Sequence, residues 1–546
     1  MTIERPWRKA CGSMPEQIDA DAWPSVVALL ETAMRRYADK TAFVAFGQRS
    51  SYADVDRHSA RLATHLQREL GVAKGDRVAV MMPNLAAFPI AFLAIARLGA
   101  IQVNVNPLYT PRELSHQLKD AGAKVVVIFN GSTPTLAEII EQTEVQHVIT
   151  AAPGDGLAAP LPSPPIDARL KAVTPLADIL AGNGSSDYAA PTLTGADLLF
   201  LQYTGGTTGI SKGAALTHRN LIANVQQFRA ISPSTLREGA EVVVTAIPLY
   251  HIFALMVNFI AYFSIGAENW LVPNPRDMDA FVKVLEAARP TVITGVNTIF
   301  AGIAAHPRAT EVDWSRLRLA GGGGTAVIET TAKRWKALTG TMIREGYGLS
   351  ETSPIVSFNT EAVDAFNGTT GVPMPSTDVR LITEDGTDAA PGAAGEVCVK
   401  GPQVMSGYWQ KPEANAAAFT ADGYFRTGDI GVFTPEGLLK IVDRKKDMII
   451  VSGFNVFPNE VEVVASACAG VAEVACVGVP DEKSGEAVRL YVVRAPGAAL
   501  SAEALIEHCR REMTAYKVPR QVIFIEALPK SAVGKVLRRE LRDTAA

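Results

Sequence analysis

Apolar and polar positions along the first part of the chain fall into blocks of two lengths. Thr41–Phe46 reads as a short strand, and Ser51 opens a helix through the capping pair Ser51-x-x-Asp54, which Gly71 ends. Asp76–Met82 is an apolar run of strand length. A helix follows from Asn84 and stops at Gly99, and Ile101–Asn106 is another strand. Thr110-Pro111-x-Glu113 starts a third helix, with Leu114, Leu118 and Ala121 on one face and Gly122 just past its end. Lys124–Phe129 closes the series. Strand–helix–strand repetition of this kind predicts parallel-rich sheets covered by helices, an α/β architecture.

Residues 151–186 are rich in Pro, Ala, Gly and Ser, which predicts a surface loop inside a large N-terminal domain. Two apolar segments raise the question of a membrane. Leu85–Ala96 is too short to span and runs into Arg97. Val242–Ala267 carries no charged residue and is long enough, but Pro248, Tyr250-His251 and Asn258 interrupt it. The pattern there predicts a buried strand, a turn and a core helix. Near the end, Pro458 begins a helix at Asn459, Val471–Val479 and Ala487–Val493 read as strands, Ser501 caps a helix, and Gln521–Ile525 is a last strand. That is enough for a small α+β domain of about a hundred residues.

A chain of 546 residues is too long for one hydrophobic core, which agrees with at least two domains. A net charge of −4 and the lack of a basic block interleaved with aromatics predict no nucleic-acid partner. The cysteines (Cys11, Cys398, Cys468, Cys476 and Cys509) are odd in number and show no zinc spacing. A reducing, cytoplasmic setting is expected. The N-terminus has no apolar stretch to serve as a signal peptide, and no polybasic amphipathic helix or lipidation motif predicts an anchor.

The strongest local chemistry lies in Tyr203-Thr-Gly-Gly-Thr-Thr-Gly-Ile-Ser-Lys-Gly213, directly after the apolar run Leu198–Leu201. Glycines let successive backbone N–H groups turn toward an anion, threonine hydroxyls add donors, and Lys212 supplies a mobile positive charge. The Gly-Lys-Ser/Thr order of a Walker A loop is absent. Four further blocks follow. They are Gly346-Tyr-Gly-Leu-Ser-Glu-Thr352, Tyr424-Phe-Arg-Thr-Gly-Asp429, Asp443-Arg-Lys-Lys-Asp447 and Pro529-Lys-Ser-Ala-Val-Gly-Lys535.

In order and rough spacing these five blocks resemble the adenylate-forming superfamily of acyl-CoA synthetases, luciferases and peptide-synthetase adenylation domains. The resemblance covers most of the chain from about Tyr203 onward. It implies an N-terminal domain over residues 1–443, a hinge over 444–447 centred on Lys446, and a small mobile C-terminal domain over 448–546. It implies ATP and AMP binding by Thr204, Gly205, Gly206, Thr207, Thr208, Gly209, Lys212, Gly323, Gly346, Tyr347, Gly348, Thr352, Asp429 and Arg444. Tyr347 offers an aromatic face for adenine, the run Gly321–Gly324 lets backbone approach that base, and Asp429 can accept both ribose hydroxyls. Glu351, with Thr207, would hold Mg²⁺ against the phosphates, and Thr352 would donate to the α-phosphate.

Lys535 is the implied catalytic residue. A carboxylate must attack the α-phosphate of ATP, and a cation between two anions relieves their repulsion. Rotation at Lys446 would then withdraw Lys535 and bring Ser452 and Gly453 to the pantetheine path of coenzyme A.

Pro248–Leu255, Thr294–Phe300, Lys400–Met405 and Leu537–Arg542 resemble bacterial long-chain fatty-acid–CoA ligases in particular. That likeness makes a fatty acid, ATP and coenzyme A the expected partners, with His251 and Gly324 at the acyl site and Val242–Ala267 in the wall of an acyl tunnel. Peripheral contact with the inner face of the membrane and a homodimer are compatible with it. A medium-chain or aryl acyl-CoA ligase, or an acyl-AMP ligase serving a carrier protein, stays open as an alternative. The sequence departs from the commonest phosphate-loop pattern at Gly205, where Ser is usual, and at Ser211, where Pro is usual.

Overall fold

The computed structural model describes residues 5–182, 187–204, 211–452, 454–481, 484–531 and 534–543. The early strand–helix alternation builds a seven-stranded sheet. Its spatial order is Val173–Pro175, His147–Ala151, Val125–Phe129, Arg77–Met81, Ile101–Val105, Leu198–Thr204 and Lys212–Thr217. Every neighbouring pair is parallel except the last. The helices between these strands start as their sequences require. Ser51 Oγ accepts the Asp54 N–H at 3.0 Å while Asp54 accepts the Ser51 N–H at 2.9 Å, and Thr110 and Glu113 repeat that reciprocal cap. Gly122 closes the helix Pro111–Ala121 at φ 63°, the left-handed conformation that costs glycine least.

A second sheet of nine strands has five consecutive parallel pairs at its centre, from Ile343–Gly348 through Leu319–Gly322, Val292–Gly295, Val242–Thr245 and Glu268–Leu271 to Thr41–Ala45. Between the two sheets lies the main core. The helix Ala87–Arg97 is buried along its whole length, as is the wide π-helical segment Ala254–Ala261. Phe92 ties them together, 5.4 Å from the Phe259 ring and 6.5 Å from Phe200 of the first sheet.

The uncharged stretch 242–267 is therefore a buried strand, turn and helix, as its interruptions predicted. Its one polar helix residue is fully engaged. Asn258 donates to Thr245 Oγ1 at 3.0 Å, accepts from Thr294 at 2.9 Å, and takes the Asn269 amide on its carbonyl at 2.8 Å. Among the described residues no helix is long and apolar enough to cross a membrane.

Two expectations need correction. The helix expected from Asn84 begins at Ala87. The Asn84 side chain instead donates to the carbonyls of Thr245, Ile247 and Val272 and accepts the Leu249 N–H at 2.7 Å, so it ties strands together and does not cap a helix. Residues 151–186 are not all loop either. Val173–Pro175 adds an edge strand parallel to His147–Ala151, and Leu176–Ala181 is a short helix whose Leu176 and Leu180 are buried. Two leucines one turn apart sufficed to fix a helix in a segment whose composition looked structureless.

A four-stranded antiparallel sheet follows: Asp378–Ile382, Gly395–Lys400, Phe425–Phe433 and Leu439–Arg444. From Ile449 on, the chain builds a separate sheet with its own core. Its long antiparallel pair Val471–Asp481 and Gly485–Arg494 is flanked by Ile449–Val451, Phe454–Val456 and, parallel, by Gln521–Phe524. The helices Pro458–Ser466 and Ala502–Glu512 cover it, with Val461, Ala465, Leu505 and Cys509 buried against Val488 and Leu490.

Candidate active site

Leu198–Thr204 and Lys212–Thr217 pair antiparallel at the edge of the first sheet, with Thr204 opposite Lys212. Gly205, Gly206, Thr207, Thr208 and Gly209 lie outside the described residues. The two strand ends are anchored. Tyr203 Oη donates to Asp120 Oδ2 at 2.7 Å, and Asp120 also pairs with Lys411 at 2.5 Å. The His116 ring contacts the Ser211 carbonyl at 2.9 Å. The Lys212 ammonium stands 4.9 Å from the centre of the Tyr408 ring.

Strand Ile343–Gly348 delivers the Gly-Tyr-Gly segment, and packing dictates its glycines. A Cβ on Gly348 would fall 1.9 Å from the Pro354 carbonyl oxygen, and one on Gly346 2.5 Å from the Phe358 ring. Neither position has room for a side chain. Gly323, just past the end of the neighbouring strand, is less confined: a Cβ there would come within 3.2 Å of Phe253.

Beyond Gly348 the tight turn Ser350–Thr352 places Glu351, which is buried and accepts from Tyr408 Oη at 2.9 Å. Burial pushes the Glu351 carboxyl above its usual range, while hydrogen bonds from its own backbone N–H and from Tyr408 work against that shift. Thr352 is wholly buried. Its hydroxyl accepts the Leu349 N–H at 3.0 Å and donates within the turn, to the carbonyl of Leu349 or Pro354. In this arrangement its hydroxyl is bonded within the turn.

Asp429 and Arg444 face each other across adjacent strands, paired in register. The Arg444 guanidinium lies 3.1 Å from Asp429 Oδ1, and Tyr347 Oη donates to Asp429 Oδ2 at 2.7 Å. Tyr347 and Arg444, far apart in sequence, thus converge on one buried carboxylate. Both its oxygens are presented to hydroxyl or N–H donors, which is what a vicinal diol needs.

Lys535 completes the group. Gly534 N donates to Ser531 O at 2.9 Å, Ser531 N to Lys535 O at 2.8 Å, and Lys535 N to Ser531 Oγ at 3.1 Å. Gly534 sits at φ 79°, and a Cβ there would come within 3.1 Å of Thr298 Oγ1 and 3.3 Å of Val296. Glycine alone lets this loop press against the start of the helix Asn297–Ala305. The Lys535 side chain then passes Gly324, with its Cε 3.8 Å from where a Cβ of that residue would be. Burial draws the Lys535 ammonium down to about 8, with Arg444 adding to the effect and Asp429 and Glu351 opposing it. His251 lies within reach of the same charge. Burial first, and Lys535 second, bring its imidazole down to about 3, so it is neutral, and its Nδ1 accepts the Phe253 N–H at 3.3 Å.

The fold therefore brings Lys535, Asp429, Arg444, Glu351, Tyr347, Gly323, Gly324 and His251 to one cleft. Lys446 is exposed in the turn between Leu439–Arg444 and Ile449–Val451. Ser452 is exposed just past the strand Ile449–Val451, which pairs antiparallel with Phe454–Val456, and has φ 51°; Gly453 lies outside the described residues. Tyr408 was not singled out from the sequence, although it touches both Glu351 and Lys212. It is positioned by an added bridge, from Ala214 of the strand Lys212–Thr217 to Tyr408, which no local pattern announces.

Residues 30–409 match the family model described as AMP-binding enzyme, and residues 460–535 match the AMP-binding enzyme C-terminal domain. The long-chain-fatty-acid–CoA ligase of Salmonella typhimurium is 49% identical over 543 residues, covering 97% of this chain and 96% of that protein. The Yersinia pestis long-chain-fatty-acid–CoA ligase is 47% identical over 553 residues, with 99% and 98% covered. Among solved structures, ATP-bound MatB from Rhodopseudomonas palustris superposes with a TM-score of 0.83 at 30% identity, covering 96% of this chain and 99% of that one.

Proposed function

The chain belongs to the AMP-binding enzyme family, and from that premise we propose that Lys535 and the Asp429 cluster run its first half-reaction. The overall reaction is ligation of a long-chain fatty acid to coenzyme A. ATP activates the acid as acyl-AMP with release of pyrophosphate, and the thiol of coenzyme A then takes the acyl group and frees AMP. The observation that carries the site assignment is the placement of a half-buried lysine whose charge is felt by Asp429, Glu351 and Arg444.

In the first step the fatty carboxylate attacks the α-phosphorus while the bond to pyrophosphate breaks. Asp429 would accept the ribose hydroxyls in place of Tyr347, which frees that phenol and fixes the nucleoside against the Gly-Tyr-Gly strand. The Lys535 ammonium would bridge the attacking carboxylate and the phosphate oxygens, where negative charge concentrates. Glu351 suits Mg²⁺, because it is a buried hard-oxygen ligand. Among the described residues no cluster of three His, Cys, Asp or Glu side chains could hold a metal by itself, so the ion would share the ATP phosphates as ligands. Bound there, Mg²⁺ would neutralise phosphate charge.

The acyl chain would enter past His251 and Phe253, where the polar cleft meets the apolar segment Ala254–Ala261. A neutral His251 fits that border, since it adds no second cation beside Lys535. For the second step, rotation about Lys446 would remove Lys535 and bring the turn at Ser452 to the pantetheine arm. The five free cysteines support a cytoplasmic setting. Peripheral contact with the inner membrane face would give access to acids that partition into lipid.

The test is ATP–pyrophosphate exchange with a long-chain acid, followed at low ATP from about pH 6 to about pH 10. Lysine must be protonated to act as the bridging cation, and its free-enzyme value is drawn down to about 8. Exchange should therefore fall on the alkaline side with a midpoint at about 8, whereas thioester formation from supplied acyl-AMP should show no such limb. A flat alkaline profile for exchange would remove Lys535 from the first step.

A further inference from the structure

The strand Leu439–Arg444 ends with two charged residues whose side chains point to opposite sides. Arg444 turns to Asp429 and the nucleotide side. Asp443 is wholly buried on the other side, against the C-terminal body. Its Oδ2 accepts the backbone N–H of Asn459 at 2.7 Å, in the first turn of the helix Pro458–Ser466, and its Oδ1 stands 3.6 Å from the Arg538 guanidinium. The Asn459 amide donates back to the Val442 carbonyl at 3.1 Å, and its oxygen accepts from Arg538 at 2.6 Å.

Arg538 also forks onto Glu462, at 2.8 and 2.9 Å, and lies 3.6 Å from Asp447, which Arg542 holds at 2.6 Å. If the chain turns at Lys446, these contacts fall into two sets. The bonds of Arg538 to Glu462 and Asp447, and of Arg542 to Asp447, join parts of one moving body. Those of Asp443 and Val442 to Asn459 and Arg538 cross the turn.

We propose that Asp443, Asn459 and Arg538 form a polar clasp across the hinge, which holds Lys535 in the cleft for adenylation and opens before the thioester step. Arg538 follows Lys535 by one turn of chain, so fixing its guanidinium fixes the lysine loop. Asp443 and Arg538 are thus positioning residues, acting through Lys535. The design suits reversal. When the clasp opens, Arg538 keeps Glu462 and Asp447 as partners, so no buried cation is left bare, and Asp443 regains water. Neither arrangement is then far below the other, as a two-state element requires.

The proposal rests on the hinge reading, and the assays separate the two. In the full-length enzyme, Asp443→Ala is expected to lower ATP–pyrophosphate exchange about tenfold, the scale of a lost charge-assisted hydrogen bond, and Asp443→Asn by less. Thioester formation from presynthesised long-chain acyl-AMP and coenzyme A should be unchanged or faster, which also shows that the variants are folded. Arg538→Lys, which keeps a charge but loses the fork, should give the same split. Equal losses in both half-reactions, or unchanged exchange, would overturn the clasp. Lys535→Ala run alongside decides the rest: if it splits the half-reactions and Asp443→Ala does not, only the clasp fails. If Lys535→Ala lowers both equally, the hinge reading itself fails.

Discussion

Lys535→Ala should slow acyl-adenylate formation by about 10²-fold or more, the range seen when a preorganised charge-stabilising donor is removed. The structure gives the reason for so large a loss. Among the described residues Lys535 is the cation that passes Gly324, and Arg444 is engaged by Asp429. Alanine leaves two anions, the fatty carboxylate and the triphosphate, to approach with their repulsion unrelieved. Thioester formation from supplied acyl-AMP should be comparatively intact, because Lys535 would be outside the cleft in that step. The two half-reactions are measured separately, by pyrophosphate exchange and by thioester yield from presynthesised adenylate.

Asp429→Ala should chiefly weaken ATP binding, by about 10- to 100-fold, which corresponds to losing hydrogen bonds to a charged acceptor. The carboxylate is 3% exposed and serves two neighbours, so its removal also frees Arg444 and the Tyr347 phenol. An unpaired Arg444 near Lys535 would make the lysine harder to protonate, which adds a smaller loss in the chemical step. Equilibrium titration with ATP separates the two contributions from turnover. Unchanged nucleotide affinity would take Asp429 out of the site.

What could be read from the sequence was local. Ser51 with Asp54 and Thr110 with Glu113 announce helix starts because the cap and its partner sit three residues apart. The strand runs of the first sheet were legible because strands buried on both faces are continuously apolar. The helix Leu176–Ala181 was not, since its two anchoring leucines are diluted among alanine, glycine and proline.

The site divided the same way. Lys535, Asp429 and Glu351 stand in blocks that resemble a known family, so they could be named. Tyr408 could not, because its meaning comes only from meeting Glu351 and Lys212 in space. A charge run such as 443–447 ordinarily marks a solvated face, yet Asp443 is buried by partners that arrive from the helix Pro458–Ser466 and from Arg538. A charge pattern shows that charges are close in sequence; it does not show which of them the fold will enclose.

The most direct test of the central claim is turnover of the purified enzyme with ATP, Mg²⁺ and coenzyme A across acids of two to eighteen carbons, reading AMP, pyrophosphate and thioester together. Each methylene buried in an apolar wall contributes about 0.8 kcal/mol, close to a fourfold gain per carbon in kcat/KM until the wall ends. The account predicts that all three products appear in equal amounts, that they require coenzyme A for sustained turnover, and that rates climb with chain length. Adenylate that accumulates without any thioester, or turnover that favours the shortest acids, would contradict it.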